Sequence, residues 1–103
     1  MNLFDLTGKT ALITGGNGGI GYGIAVGLAE AGAQIIISAR NKNKTKNAVA
    51  SLNSSGHQAL GIEVDVSDES SIKNMVSESL NSAGQVDILV NNAGIGIRKL
   101  PHE

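Results

Sequence analysis

The sequence predicts an α/β fold with a parallel sheet, because short apolar runs alternate with segments of helical periodicity from one end of the chain to the other. The runs are aliphatic and rich in β-branched residues, as strands covered on both faces require. A crossover helix fits between each pair of runs, so the connections should be right-handed βαβ units. No internal repeat or low-complexity segment divides the sequence. We therefore expect one doubly wound sheet with helices on both faces.

Four strands are predicted. They cover residues 10–14, a run centred on residues 35–37, residues 59–64 and residues 86–90. By analogy with doubly wound sheets, their order should be 3-2-1-4, so that the first and fourth strands flank the point where the order reverses. All four carboxyl ends then meet at one edge of the sheet.

The first helix should begin near Ile20, because Ile20, Ile24, Leu28 and Ala31 recur at helical spacing. Gly32 is the expected stop signal, since glycine adopts the left-handed conformation that ends many helices.

The second helix is predicted over residues 42–55, with Gly56 as its terminator. Ser67 should cap the third helix, where Asp68 and Glu69 complement the positive end of the helix dipole. The buried face of this third helix is predicted from its spacing to consist of Ile72, Met75, Val76, Leu80 and Ala83.

A glycine-rich turn, T-G-G-N-G-G-I-G at residues 14–21, separates the first strand from the first helix. Glycine at the strand exit allows a tight bend, glycine in the middle admits a pyrophosphate, and glycine inside the first helical turn allows close packing on the strand. Free N–H groups and the helix dipole then favour the anion. A merely flexible loop is the alternative, but the strand and helix flanks favour a cofactor site. Its predicted residues are Gly15, Asn17, Gly18, Gly19, Ile20 and Gly21.

A second motif decides between two registers of this turn. With Gly15, Gly19 and Gly21, the turn resembles the cofactor motif of the short-chain dehydrogenase/reductase family; with Gly18 instead, it resembles extended relatives that act on nucleotide sugars. The segment Asn-Asn-Ala-Gly at residues 91–94 resembles the signature of ordinary members of that family. The resemblance extends over essentially the whole chain. Residues 4–9 and 91–103 look most like gluconate 5-dehydrogenases, followed by 3-oxoacyl-carrier-protein reductases.

The resemblance implies a Rossmann-like fold, here incomplete, with residues 1–103 as the N-terminal part of a single NAD(P)-binding domain. It also implies that Asp65 accepts a hydrogen bond from the adenine amine and that Val66 packs beside the ring. Asn92, Ala93 and Gly94 should line the cofactor ribose. Two other interpretations remain open: Asp65 as a local cap at a helix entry, and the asparagines as a simple turn after the fourth strand.

The end of the second strand indicates which cofactor is preferred. NAD-binding proteins place a carboxylate there for the ribose 2′-hydroxyl, whereas an arginine nearby accommodates the 2′-phosphate of NADP. Here Ala39 is followed by Arg40, so NADP is the predicted cofactor, with NAD possible. Lys42, Lys44 and Lys46 follow closely, either as a solvated helix face or as part of the same basic segment.

No catalytic residue is expected within this sequence. The family uses a serine, a tyrosine four positions before a lysine, and an asparagine, all of which lie beyond the fourth strand. Tyr22 is followed four positions later by Val26, so we expect it to be a partly exposed helical residue. His57 and His102 have no ligand or nucleophile pattern around them, and no metal site is predicted.

The resemblance thus implies an oxidoreductase that transfers hydride between an alcohol and a carbonyl, and the 103-residue chain alone should be inactive. A non-catalytic nucleotide-binding or regulatory module is the alternative. A net charge of −1 argues against nucleic acid or an anionic membrane as partners, and the lack of cysteine excludes disulfides and thiolate metal sites. We expect a small-molecule substrate. A cytoplasmic location is expected because nothing in the sequence resembles a signal peptide or a long uncharged apolar span. A homo-oligomer is expected because the fourth strand would otherwise leave an apolar edge unpaired.

Overall fold

The computed structural model describes residues 5–63 and 69–91, and within the second range the side chains from residue 73 onward. Four parallel strands form one sheet in the order β3-β2-β1-β4. The predicted fold class and strand order are confirmed. In chain order, the elements are β1 (Thr10–Thr14), α1 (Gly19–Glu30), β2 (Gln34–Ala39), α2 (Lys42–Ser54), β3 (Ala59–Glu63), α3 (Glu69–Ala83) and β4 (Ile88–Asn91).

The fourth strand begins two residues later than predicted, at Ile88 instead of residue 86. Asp87 explains the difference. Its side-chain Oδ2 accepts a hydrogen bond from the Thr10 N–H at 2.8 Å, and its own N–H donates to the Thr10 carbonyl at 2.9 Å. The Thr10 N–H is therefore bonded to the Asp87 side chain and not to a backbone carbonyl of β4. The regular pairing of β1 with β4 starts with Ala11 and Ile88.

The core lies on both faces of β2 and β1. On one face, α1 and α2 pack over the odd-numbered strand residues, such as Ile13, Ile35 and Ile37; we call this the first core cluster. On the other face, Leu12 and Ile36 join Met75 of α3 and Ile62 of β3 in the second core cluster. Ile35, Ile36 and Ile37 are fully buried, which confirms that β2 is covered on both faces.

The buried residues of α1 lie one position after the apolar residues that recur at helical spacing in the sequence. Ile20 is 78% exposed, and the buried residues are Gly21, Ala25 and Ala29. These small residues allow the helix backbone to lie close to the sheet, whereas larger residues such as Leu28 fit only at the sides of the contact. Gly32, with φ of 107°, follows the helix in the left-handed conformation, as predicted.

The predicted face of α3 was right for Met75 and Ala83, which belong to or pack against the second core cluster, and wrong for Val76 and Leu80. Met75 is buried as expected, but Val76 is 41% exposed and Leu80 is 46% exposed. Ser79 is buried instead, and its Oγ donates to the Met75 carbonyl at 2.7 Å, which satisfies the hydroxyl within the helix. The predicted cap at Ser67 and Asp68 lies outside the described residues, as does the side chain of Ile72.

Candidate cofactor site

The glycine-rich turn follows β1 at the carboxyl edge of the sheet. Gly15 and Gly19 have φ values of 70° and 58°, a region that side-chain-bearing residues rarely adopt. The Gly15 N–H donates to the Ser38 carbonyl at 2.7 Å and so joins the turn to the end of β2. Gly16 is also required, because a Cβ there would lie 3.0 Å from Ile13 Cγ2. Sequence reasoning missed Gly16, since only the coordinates show this close approach.

The turn leads into the N-terminus of α1, which can hold an anion. Gly18 is the N-cap; its carbonyl accepts from the Tyr22 N–H at 3.2 Å, and it has no side chain to cap the helix. The first N–H groups of a helix have no partner within the helix, and the dipole makes this end positive. A Cβ on Gly19 would have no described protein atom within 4 Å, so the backbone is open there to a bound group. This geometry fits a pyrophosphate on helix N–H groups.

A side-chain hydrogen bond connects the turn to α2. Asn17 Nδ2 donates to Thr45 Oγ1 at 3.2 Å, and Thr45 is buried although it is polar. Sequence reasoning placed Asn17 in the site but overlooked Thr45. The signal was present, because Thr45, Ala48 and Leu52 recur at helical spacing and share the buried face of α2.

Two basic residues lie beside this connection. Arg40 directly follows β2 and is exposed, one residue before Asn41, the N-cap of α2. Lys44 belongs to the first turn of α2, and its Nζ and Cε lie 3.0 Å from the position that a Cβ on Gly18 would take. Positive charge therefore stands next to the glycine-rich turn, on the side of the second strand.

The turn is also linked to β4, across the point where the strand order reverses. Thr14 Oγ1 lies 3.0 Å from Asn91 Oδ1 and 3.3 Å from the Val90 carbonyl, so it holds the ends of β1 and β4 together. The other predicted cofactor contacts, at Asp65, Val66, Asn92, Ala93 and Gly94, lie outside the described residues. Of the predicted site residues, the described ones lie in the turn and, at Arg40, directly after β2, whose end is joined to the turn by the hydrogen bond from the Gly15 N–H to the Ser38 carbonyl.

This arrangement agrees with the comparisons with known proteins. The family model described as short chain dehydrogenase matches residues 9–103. The chain belongs to the short chain dehydrogenase family. It is 44% identical to the 2-dehydro-3-deoxy-D-gluconate 5-dehydrogenase of Dickeya dadantii, covering 92% of this chain and 37% of that protein. With the gluconate 5-dehydrogenase of Gluconobacter oxydans it shares 37% identity, over 99% of this chain and 40% of the relative.

Solved structures of the family show the same fold. The hydroxysteroid dehydrogenase of Escherichia coli superposes with a TM-score of 0.86 at 38% identity, over 93% of this chain and 41% of that one. The Pseudomonas aeruginosa RhlG/NADP active-site complex has a TM-score of 0.84 at 38% identity, over 91% of this chain and 38% of that one. The chain thus spans only about two fifths of these relatives, with 37% to 41% of each covered.

A shorter relative also exists in the family. The short-chain dehydrogenase/reductase homolog YusS of Bacillus subtilis is 38% identical over 92 residues, which are 88% of this chain and 84% of that protein. The matched residues thus make up most of the YusS homolog.

Tyr22 does not take the place of a catalytic tyrosine of the short chain dehydrogenases. It lies on α1, partly buried against the first core cluster, and its hydroxyl donates to Ser51 Oγ on α2 at 3.0 Å. Four positions later stands Val26 instead of a lysine. This agrees with the helical role expected from the sequence.

Histidines and acidic groups add no second site to the part of the chain that the structure describes. His57 is half-buried, and His102 lies outside the described residues. Among the described residues, no group of three or more His, Cys, Asp or Glu side chains could hold a metal ion. Within the same ranges, none of the helices has the length and apolar character needed to cross a membrane.

Two acidic groups with shifted pKa values lie away from the cofactor site. The Thr10 N–H, aided by Gln85 Nε2 at 2.6 Å and by the charge of Lys9, lowers the pKa of Asp87 below its ordinary value. Hydrogen bonds from Thr7 lower the pKa of Asp5. Since Asp87 bonds to the first residue of β1, its ionised form stabilises the amino edge of the sheet, opposite the glycine-rich turn.

Proposed function

We propose that this protein is an NADP-preferring oxidoreductase that transfers hydride between an alcohol and a carbonyl. In this proposal, residues 1–103 form the N-terminal part of a single NAD(P)-binding domain. The observation that supports the cofactor preference is the position of Arg40, which directly follows β2 beside the glycine-rich turn. The neighbouring Ala39 is buried and provides no carboxylate for a ribose hydroxyl.

An arginine at the end of the second strand favours NADP, whereas a carboxylate there would favour NAD. A guanidinium is planar, always charged, and binds phosphate through two parallel hydrogen bonds. A carboxylate at the same place would repel the 2′-phosphate and bind the 2′,3′-diol of NAD. The relative solved as an RhlG/NADP complex, at 38% identity, supports the same preference.

The described residues are suited to binding and orienting the cofactor. The N-terminus of α1 offers N–H groups to the pyrophosphate, while Thr14 and Asn91 keep the ends of β1 and β4 in register. The nicotinamide supplies the hydride when the cofactor is bound. Tyr22 is the only tyrosine of this sequence and has no lysine partner, so we propose that proton transfer depends on residues outside these 103. The named relatives support a sugar acid as the substrate.

The test is a change of cofactor preference. In the protein expressed from its full reading frame, NADPH should bind more tightly than NADH, by about tenfold for one bidentate phosphate contact. Arg40→Asp should reverse this preference, and Arg40→Lys should keep part of it. Fluorescence titration with both cofactors measures the ratio. Equal affinities for the two cofactors, before and after the Arg40→Asp change, would refute the proposal.

A second candidate is a nucleotide-binding module without turnover. It is favoured by the glycine-rich turn, which suits nucleotide binding, together with Tyr22, which has Val26 and not a lysine four positions later. Steady-state reduction of carbonyl compounds with NADPH distinguishes the two. Tight cofactor binding without any turnover, across sugar-acid and other carbonyl substrates, would favour the module.

We also propose that the protein forms homo-oligomers. Leu89 on β4 is 62% exposed, and Val76 and Leu80 on α3 add apolar surface. Sedimentation velocity over a range of concentrations tests this, and a monomer throughout would argue against it. The cytoplasmic location stays a prediction, which cell fractionation can test.

A further inference from the structure

We propose that Lys44 provides a second cation for the 2′-phosphate of NADP, and that glycine at position 18 leaves the space in which Lys44 reaches that phosphate. This inference rests on the proposed NADP preference and names a specificity residue for it. It concerns a contact between the first turn of α2 and the N-cap of α1, two helices that are joined through β2.

The glycine at position 18 is explained by space and not by backbone conformation. Its φ of −175° and ψ of 169° are extended values that any residue adopts. A Cβ at this position, however, would lie 3.0 Å from both Cε and Nζ of Lys44. A side chain there would compete with the end of the Lys44 side chain for this space, and a large one would displace the ammonium group from the turn. Gly15 and Gly19 differ in this respect, because their positive φ values already require glycine.

The backbone around Lys44 is held in place on both sides. The Lys44 N–H donates to Asn41 Oδ1 at 2.9 Å, which caps α2. The next residue, Thr45, is buried and accepts from Asn17 Nδ2 at 3.2 Å. The first turn of α2 is therefore attached to the glycine-rich turn, and Lys44 stands over that turn because of this attachment.

The 2′-phosphate is favoured over the pyrophosphate as the target of Lys44. In this fold the adenosine ribose lies at the end of the second strand, where Arg40 and the first turn of α2 follow, whereas the pyrophosphate lies at the N-terminus of α1. A phosphate monoester has a charge between about −1.5 and −2 at neutral pH, so one guanidinium leaves part of it unbalanced. The ammonium group of Lys44 can balance the remainder.

The two neighbouring lysines serve as an internal contrast. Lys42 and Lys46 lie one helical turn apart and border a cavity of about 360 Å³ between α2 and β3. The far side of this cavity is formed by Ile62 and Glu63 of β3. Lys46 thus has the same charge and helix as Lys44, but it borders this cavity and is not among the atoms nearest to a Cβ on Gly18, which makes it a matched control.

The experiment compares Lys44→Met with Lys46→Met in the protein expressed from its full reading frame. Calorimetry gives the dissociation constants of NADPH, NADH, 2′,5′-ADP and 5′-AMP. Lys44→Met should weaken NADPH and 2′,5′-ADP by about five- to tenfold, as expected for one partly solvated charged contact. NADH and 5′-AMP should bind as before, Lys46→Met should change all four by less than about twofold, and Lys44→Arg should restore NADPH binding.

Gly18→Ala provides a second test that keeps the lysine. A methyl group at this position competes with the end of the Lys44 side chain for space. Because Gly18 is also the N-cap of α1, binding of both cofactors can weaken, but the loss should be larger for NADPH than for NADH. The inference is overturned if Lys44→Met weakens NADPH and NADH equally, which would assign the lysine to the pyrophosphate, or if it weakens neither. The Arg40→Asp variant then separates the two proposals. If it still reverses the preference for NADPH over NADH, only the role of Lys44 is refuted. If it does not, the proposed cofactor preference is refuted as well.

Discussion

The two sides of the sheet differ in how completely they are packed. On the side of β2, every residue from Ile35 to Ala39 is buried, between α1 and α2 on one face and α3 on the other. On the side of β4, residues alternate between half-buried and exposed, and Leu89 is 62% exposed. The glycine-rich turn and Arg40 both continue from the well-packed strands. The candidate site is thus supported where the described residues form the most complete core.

The helices show the same difference. α1 and α2 bury small and aliphatic side chains against β1 and β2, and a partly buried ring of larger residues surrounds them. α3 contributes Met75 to the second core cluster but leaves Val76 and Leu80 about half exposed. Burial of apolar area is the main favourable term in folding. The free energy of unfolding should therefore depend far more on the buried residues of β1, β2, α1 and α2 than on β4 and the exposed residues of α3.

The largest expected effect comes from truncating a central side chain. Ile36→Ala should lower the free energy of unfolding by about 2–5 kcal/mol, since Ile36 is fully buried and its removal leaves a cavity. The matched change Leu89→Ala should cost about 0.5 kcal/mol or less, because the side chain is mostly exposed. Urea denaturation measures both. Equal losses would mean that β4 is as well packed as β2.

A smaller effect on stability, with a large one on binding, is expected for Gly19→Val. The positive φ of 58° should cost about 1–2 kcal/mol with a β-branched residue, and the side chain would occupy the approach of the pyrophosphate. Cofactor binding should therefore be lost while the fold persists, as measured by cofactor fluorescence and circular dichroism.

Gly23→Ala is the control for this change, because Gly23 lies within α1 and its Cβ would meet no described atom within 4 Å. Alanine is the better helix former, so this variant should be stabilised by up to about 1 kcal/mol and should still bind cofactor. Tight binding by Gly19→Val would refute the assignment of the turn.

The smallest expected effect concerns pH and the amino edge of the sheet. The pKa of Asp87 is lowered in the folded chain, chiefly by the hydrogen bond from the Thr10 N–H, so the unfolded chain takes up the proton more readily. The resulting stabilisation is fully present above the ordinary value of 3.8 and is lost as the pH falls through the lower, folded value.

The thermal midpoint of unfolding should accordingly fall less between neutral and strongly acidic pH in the Asp87→Asn variant than in the unchanged protein. Thermal unfolding followed by circular dichroism at several pH values tests this. An unchanged pH profile in the variant would show that β4 is not held to Thr10 by the charge of Asp87.

Much of the fold was predictable because its signals are local. The apolar runs and helical periods predicted the strands, and the analogy with doubly wound sheets predicted their order of 3-2-1-4. The face of α3 was predicted less well, and the recurrence of apolar residues in α1 did not locate its buried face. Periodicity shows where large apolar residues recur, but the closest contact with the sheet selected Gly21, Ala25 and Ala29 on α1, and Ser79 beside Met75 on α3.

By itself, the sequence determined the glycine-rich turn, the position of Arg40 after the second strand and the fact that Val26, not a lysine, follows four positions after Tyr22, since each depends only on residue types and their spacing. Only the tertiary structure decided that Thr45 bonds to Asn17 and that Lys44 lies over Gly18. Asn17 and Gly18 directly precede α1, whereas Lys44 and Thr45 belong to α2, so their distances depend on how α1 and α2 pack side by side on one face of the sheet. Packing of this kind brings together residues that are far apart in the sequence, and the spacing of residues along the chain does not show which of them will meet.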